Sequence, residues 1–210
     1  MRLNRMTTVA EPAALSVAAD RSPVKLALVI GSNRHGRFGP VIADWFLSRA
    51  RARADLDIEV VDLAEHDLPT ALSHQPSAEV QERLAAVTPK LAAADAFVVL
   101  TPEYNHSFPA ALKNLIDWHF TEWQAKPVGF VSYGGVSGGL RAVEQLRAVF
   151  AELHAVTVRD TVSFHNAFGD FDEQGGHRDP TGCDAAAKLL LDRLTWWALA
   201  LREAKAVRPY

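Results

Sequence analysis

Only one cysteine, Cys183, stands among the 210 residues. That excludes an internal disulfide framework and fits a reducing compartment, so a cytoplasmic location is expected. Long hydrophobic runs are also missing. None approaches the ~20 residues that a membrane helix needs, so no membrane partner is expected. An excess of one charge sign is missing as well: 22 Lys and Arg against 25 Asp and Glu give a net charge of -3, which implies no basic face for nucleic acid. Eight histidines occur, but never as H-x-H or H-E-x-x-H, and no metal is expected. Residues 1–23 are Ala-rich and polar and lack an apolar signal core. They read as a flexible N-terminal extension rather than a signal peptide, with Met1 or Met6 as the start.

Hydrophobic residues, at 49%, suffice for one compact domain, placed at 24–205 with a tail at 206–210. Apolar runs at 25–30, 58–62, 96–100 and 128–132 and an extended segment at 156–164 read as strands. Helical spacing predicts helices at 39–54, 77–94, 108–121, 139–153 and 182–204. Five strands alternating with five helices give an α/β fold, a doubly wound five-stranded parallel sheet. In the order 2-1-3-4-5, ligands bind beyond the carboxyl ends of strands one and three. The loop from His165 to Pro180 is the longest irregular piece and is a candidate cover for a site.

Three loops at that edge carry unusual residues. Gly31-Ser32-Asn33-Arg34-His35-Gly36-Arg37-Phe38-Gly39 joins strand one to a helix start. Free N–H groups, the positive end of the helix dipole and two guanidinium groups suit a phosphate there. After strand three, Pro102-Glu103-Tyr104-Asn105-His106-Ser107 lies in a stretch stiffened by two prolines, and can line the edge of a planar heterocycle. After strand four, Tyr133-Gly134-Gly135-Val136-Ser137-Gly138-Gly139 opens a helix. Its glycines permit close backbone approach, and its amides can meet a developing negative charge.

Together with Lys113-Asn114 and Asp117-Trp118, these loops resemble the NAD(P)H-dependent FMN reductase family, over roughly residues 25 to 200. The family is flavodoxin-like and includes quinone, chromate and azo-dye reductases. The resemblance implies an FMN-dependent oxidoreductase fed by NADPH or NADH, with a small-molecule acceptor such as a flavin or quinone. It implies that Ser32, Arg34, Arg37, Phe38 and Gly39 hold the phosphate. Pro102, Glu103, Tyr104 and Asn105 would run beside the ribityl chain and ring. The loop of Tyr133, Gly134, Gly135, Ser137 and Gly138 would face the pyrimidine end. A homodimer or homotetramer is implied too, with helix 108–121 as a candidate contact. Hydride chemistry of this kind uses no protein nucleophile, so no catalytic side chain is expected.

Other readings compete. A flavodoxin-type electron carrier is one, although such carriers are usually more acidic than this chain. Gly135-Val136-Ser137-Gly138-Gly139 also fits G-x-S-x-G, which would make Ser137 a hydrolase nucleophile followed by Asp160 or Asp170 and His165 or His177. The first loop matches G-x-x-x-x-G, but Arg37-Phe38 replaces the Lys and Ser/Thr of a P-loop. Asp62 reads as a solvated turn residue, with ribose binding as its rival role. His106 reads as a polar loop residue and His119 as a packed one. Trp196-Trp197 reads as one core residue and one boundary residue.

Overall fold

The computed structural model describes residues 22–210, so most of the expected extension lies outside the described residues. The strands are β1 (Val24–Ile30), β2 (Leu56–Asp62), β3 (Ala96–Pro102), β4 (Pro127–Tyr133) and β5 (Val156–Phe164). They form one sheet in the order β2-β1-β3-β4-β5, and every neighbouring pair is parallel. The helices are α1 (Gly39–Ala50), α2 (Ala78–Ala85), α3 (Thr88–Ala93), α4 (Ala110–Trp118), α5 (Leu140–Glu152), α6 (Ala167–Asp170) and α7 (Pro180–Val207).

Both faces of the central strands are covered, so β3 and β4 are buried at every position. Alternation divides β1 between two cores. Leu26, Leu28 and Ile30 pack with α1 and α7, while Ala27 and Val29 pack with residues of α3, α4 and α5. The chain leaving β1 therefore runs to one face and the chain leaving β3 to the other.

Four helices differ from the sequence expectation by more than one residue, and the first of them, expected to reach 54, ends at Ala50. The helix expected at 77–94 is two helices, α2 and α3, because Pro89 in the first turn of α3 has no N–H and its ring clashes with a preceding carbonyl. The helix expected at 108–121 begins after Pro109 and ends at Trp118, where His119 turns extended. The last helix starts earlier and runs on to Val207. His119 is packed as expected, with its Nδ1 on the Leu115 carbonyl at 2.8 Å and its Nε2 on the Thr88 hydroxyl at 2.9 Å. Trp196 and Trp197 depart from expectation. Neither belongs to the core; they meet edge to face on the outside of α7, 62% and 37% exposed.

β5, at one side of the sheet, is irregular. Between the pairs Val128↔Thr157 and Phe130↔Thr161, four steps along β5 face two along β4. Arg147 of α5 closes this bulge, donating to the carbonyls of Val158 at 2.7 Å and Arg159 at 2.8 Å while its guanidinium lies over Phe130.

At the opposite end of the strands, Lys126 caps α3. Its Nζ donates to the carbonyls of Leu91 and Ala92, both at 2.9 Å. Burial, aided by Lys205, lowers its pKa from 10.5 to about 8. The unfolded chain keeps this proton up to the higher value, whereas the folded chain releases it near the lower one. Between the two the unfolded state binds more protons, so raising the pH stabilises the fold. The unfolding free energy of the wild type is expected to rise relative to that of Lys126→Met between pH 8 and about 10. Urea titrations across that range measure it, and equal pH slopes would refute it.

Candidate active site

The loops after β1, β3 and β4 meet at the carboxyl edge of the sheet around a cleft of about 160 Å³. The first loop contributes Arg34, Arg37 and Phe38, the second Pro102, Glu103 and Tyr104, and the third Tyr133, Gly134 and Gly135. Phe168 of α6 completes the wall. No motif marked Phe168; the only hint in the sequence was its place in the long loop after β5. The amides of Asn166 and Ala167 donate to the carbonyls of Gly135 and Gly134, which fixes α6 against the third loop. The rings of Phe168 and Phe38 stand 5.2 Å apart.

The two arginines of the first loop have different partners. Arg37 forms a two-pronged ion pair with Asp62 at the end of β2, and also donates to the Ser32 carbonyl at 2.8 Å. Asp62 is thus no solvated turn residue: only 14% of its side chain is exposed, and it also accepts the Ala64 amide. The pair fastens the first loop to β2. Arg34 has no carboxylate partner among the described residues; it lies over the Tyr104 ring at 5.8 Å and is exposed beside the cleft. Nor is α1 capped. Phe38 makes no side-chain cap, the first turn holds no acid, and the amides of Phe38 and Gly39 meet no acceptor among the described residues. A free guanidinium and an uncapped helix start thus share one end of the cleft, which suits an anion.

Ser32 is fully buried and its Oγ meets the Tyr104 hydroxyl at 2.6 Å. Gly39 lets the Tyr133 hydroxyl approach, since a Cβ there would lie 3.1 Å from that oxygen. Burial, with Tyr104 next in effect, raises the Tyr133 pKa, so this phenol remains neutral.

In the third loop, Gly138 and Gly139 hold φ of 60° and 83°. A Cβ on Gly138 would sit 2.5 Å from Ser163 Oγ, so only glycine fits. Ser137 does not meet a histidine. Its hydroxyl donates to Glu103 Oε2 at 2.6 Å, while His165 contacts the Val136 carbonyl and Ser163, and His177 contacts Asp179. The hydrolase arrangement is absent among the described residues. Glu103 also receives the Arg141 amide and guanidinium, so its carboxylate joins the second and third loops. Ser32, Gly39, Asn105, Ser137 and Gly138 are not among the residues that line this cleft, and Asn105 is exposed.

The family model for NADPH-dependent FMN reductase matches residues 24–169. The chain belongs to that family, which assigns it FMN and NAD(P)H as cofactors. An NAD(P)H-dependent FMN reductase of Schizosaccharomyces pombe is 39% identical over 122 residues, 55% of this chain and 60% of that protein. The chain thus spans about three fifths of that relative's length. A probable NADPH:quinone oxidoreductase of Oryza sativa is 34% identical over 158 residues, 68% of this chain and 75% of that protein. Among solved structures, the flavoenzyme NAD(P)H:(acceptor) oxidoreductase FerB of Paracoccus denitrificans superposes with a TM-score of 0.64 at 20% identity, covering 83% and 97% of the two chains. The shared fold is flavodoxin-like.

The Arg37–Asp62 pair yields a stability prediction. Asp62→Ala leaves a partly buried guanidinium unpaired and is expected to cost about 1.5–3 kcal/mol in urea unfolding. Asp57→Ala, at an exposed position on the same strand, is expected to cost under about 0.5 kcal/mol.

Proposed function

We propose that this protein is an FMN-dependent NAD(P)H oxidoreductase acting on a small acceptor, a flavin or quinone. The observation that carries this is the unpaired Arg34 beside the uncapped start of α1, at one end of a cleft walled by aromatic rings and glycine backbone. FMN has the matching shape: an anionic phosphate at one end and a flat ring at the other. Bound there, it supplies hydride acceptance from the nicotinamide and electron delivery to the acceptor.

The chain's own residues bind and orient. Arg34 and the amides of Phe38 and Gly39 receive the phosphate, in charge-assisted bonds of about 1.5–3 kcal/mol each. Ser32 steadies Tyr104 through its hydroxyl, and Arg37 keeps the loop in place through Asp62. Pro102, Glu103, Tyr104 and Asn105 edge the ring. The amides of Gly135 and Val136, which meet no acceptor among the described residues, would serve the end of the ring that gains charge. Tyr133, Ser137 and Gly138 shape that loop. The quinone oxidoreductase among the relatives supports a quinone as acceptor.

Purified protein is expected to take up one FMN per chain and to lose its flavin absorbance when NADPH or NADH is added anaerobically. Arg34→Ala is expected to weaken FMN binding about 10–100-fold, or ~1.4–2.8 kcal/mol. Fluorescence titration reads the affinity; unchanged affinity would place the phosphate elsewhere. Steady-state rates are expected to follow ping-pong kinetics, because donor and acceptor use one open cleft in turn.

We also infer a cytoplasmic homodimer or homotetramer. Phe120, just beyond α4, is 51% exposed and gives a second copy an apolar contact. Light scattering at micromolar concentration is expected to show at least twice the chain mass of 23.0 kDa. A monomer would overturn this.

A further inference from the structure

Tyr104, Asn105, His106 and Ser107 form a two-residue hairpin turn. The Tyr104 amide donates to the Ser107 carbonyl at 2.8 Å, and the Ser107 amide donates back at 3.0 Å. Asn105 at φ 50° and His106 at φ 73° are both left-handed. This is a turn of the type I′ kind, which requires positive φ at both central residues. Asparagine tolerates the first position, and glycine is the usual second residue. Histidine carries a Cβ there, so its backbone is strained. Such strain persists only where the surroundings hold it.

Two side chains of α5 supply the hold. Gln145 Nε2 donates to the His106 carbonyl at 2.7 Å, and Gln145 Oε1 accepts from Ser107 Oγ at 2.6 Å. Arg141 Nη1 lies 3.2 Å from His106 Nδ1. The amide of glutamine fits this task because one group offers both a donor and an acceptor. A glutamate would set an oxygen against the His106 carbonyl. Gln145 is exposed on the second turn of α5 and lines no part of the cleft.

We propose that Gln145 is a positioning residue for the cofactor cleft. It clamps the far side of the strained turn and thereby fixes Tyr104, whose hydroxyl meets Ser32 and whose ring lies beneath Arg34. The affinity of the cleft then depends on a side chain that never touches the ligand. This rests on the reading of the cleft as an FMN site.

The test compares the wild type, Gln145→Ala, His106→Gly and the double variant. FMN affinity is read by fluorescence, and amide exchange at Tyr104 and Ser107 by hydrogen–deuterium exchange without FMN. Alanine at an exposed helical position preserves α5. Gln145→Ala is expected to bind FMN about 10-fold more weakly and to exchange those two amides about 10-fold faster. In the double variant, glycine adopts the turn without strain. Its affinity and exchange are expected to return to within about twofold of wild type. Wild-type affinity in Gln145→Ala, or no recovery in the double variant, overturns the proposal. Absence of FMN binding by the wild type sinks the functional reading instead. The exchange rates still decide the positioning role in that case, and rates unchanged by Gln145→Ala refute it.

Discussion

The chain leaves β1 and β3, adjacent parallel strands, toward opposite faces of the sheet, and everything at the site depends on that divergence. Two loops that part in this way leave a gap at the carboxyl edge that neither can fill. The sheet beneath is dry, since β3 and β4 are buried at every position. In the central strands backbone polarity is satisfied inside the ladders and left open where those strands end. The uncapped start of α1 and the free amides of the glycine loop are therefore concentrated at one edge.

Around that gap the loops are tied to one another as well as to the sheet. Arg37 and Asp62 join the first loop to β2. The paired hydroxyls of Ser32 and Tyr104 join the first loop to the second. Glu103 joins the second to the third through Ser137 and Arg141, and α6 joins the third to the chain after β5. A line of polar contacts thus runs from β2 to α6, and the apolar contact of Phe168 with Phe38 completes the circuit around an open centre. Among the described residues Arg34 has no carboxylate partner, and it stands out because the neighbouring charges are already matched.

Strand order was legible in the sequence, and so was the meeting of three loops at the carboxyl edge. Unbroken apolar runs mark buried parallel strands, and glycines with arginine at a strand-to-helix junction mark an anion seat. Helix boundaries were less legible. The apolar spacing of 77–94 continues through Pro89, while the backbone does not. Ion-pair partners were harder still. Nothing local in Asp62 foretells a guanidinium 25 residues away, because strand pairing alone brings them together. Phe168 and Gln145 belong to the same class: each acts through a contact whose sequence separation carries no periodic signal. Trp196 and Trp197 show the converse failure. One of the two was expected in the core and the other at its boundary, yet the helix leaves both partly in solvent.

The bulge in β5 has a consequence for assembly. A flat outer strand would present an unbroken row of donors and acceptors to any extended chain that met it. Here the two surplus residues throw that row out of step, and the carbonyls of Val158 and Arg159 are already occupied by a guanidinium. Copies of this molecule cannot grow into a continuous cross-molecular ladder along that side.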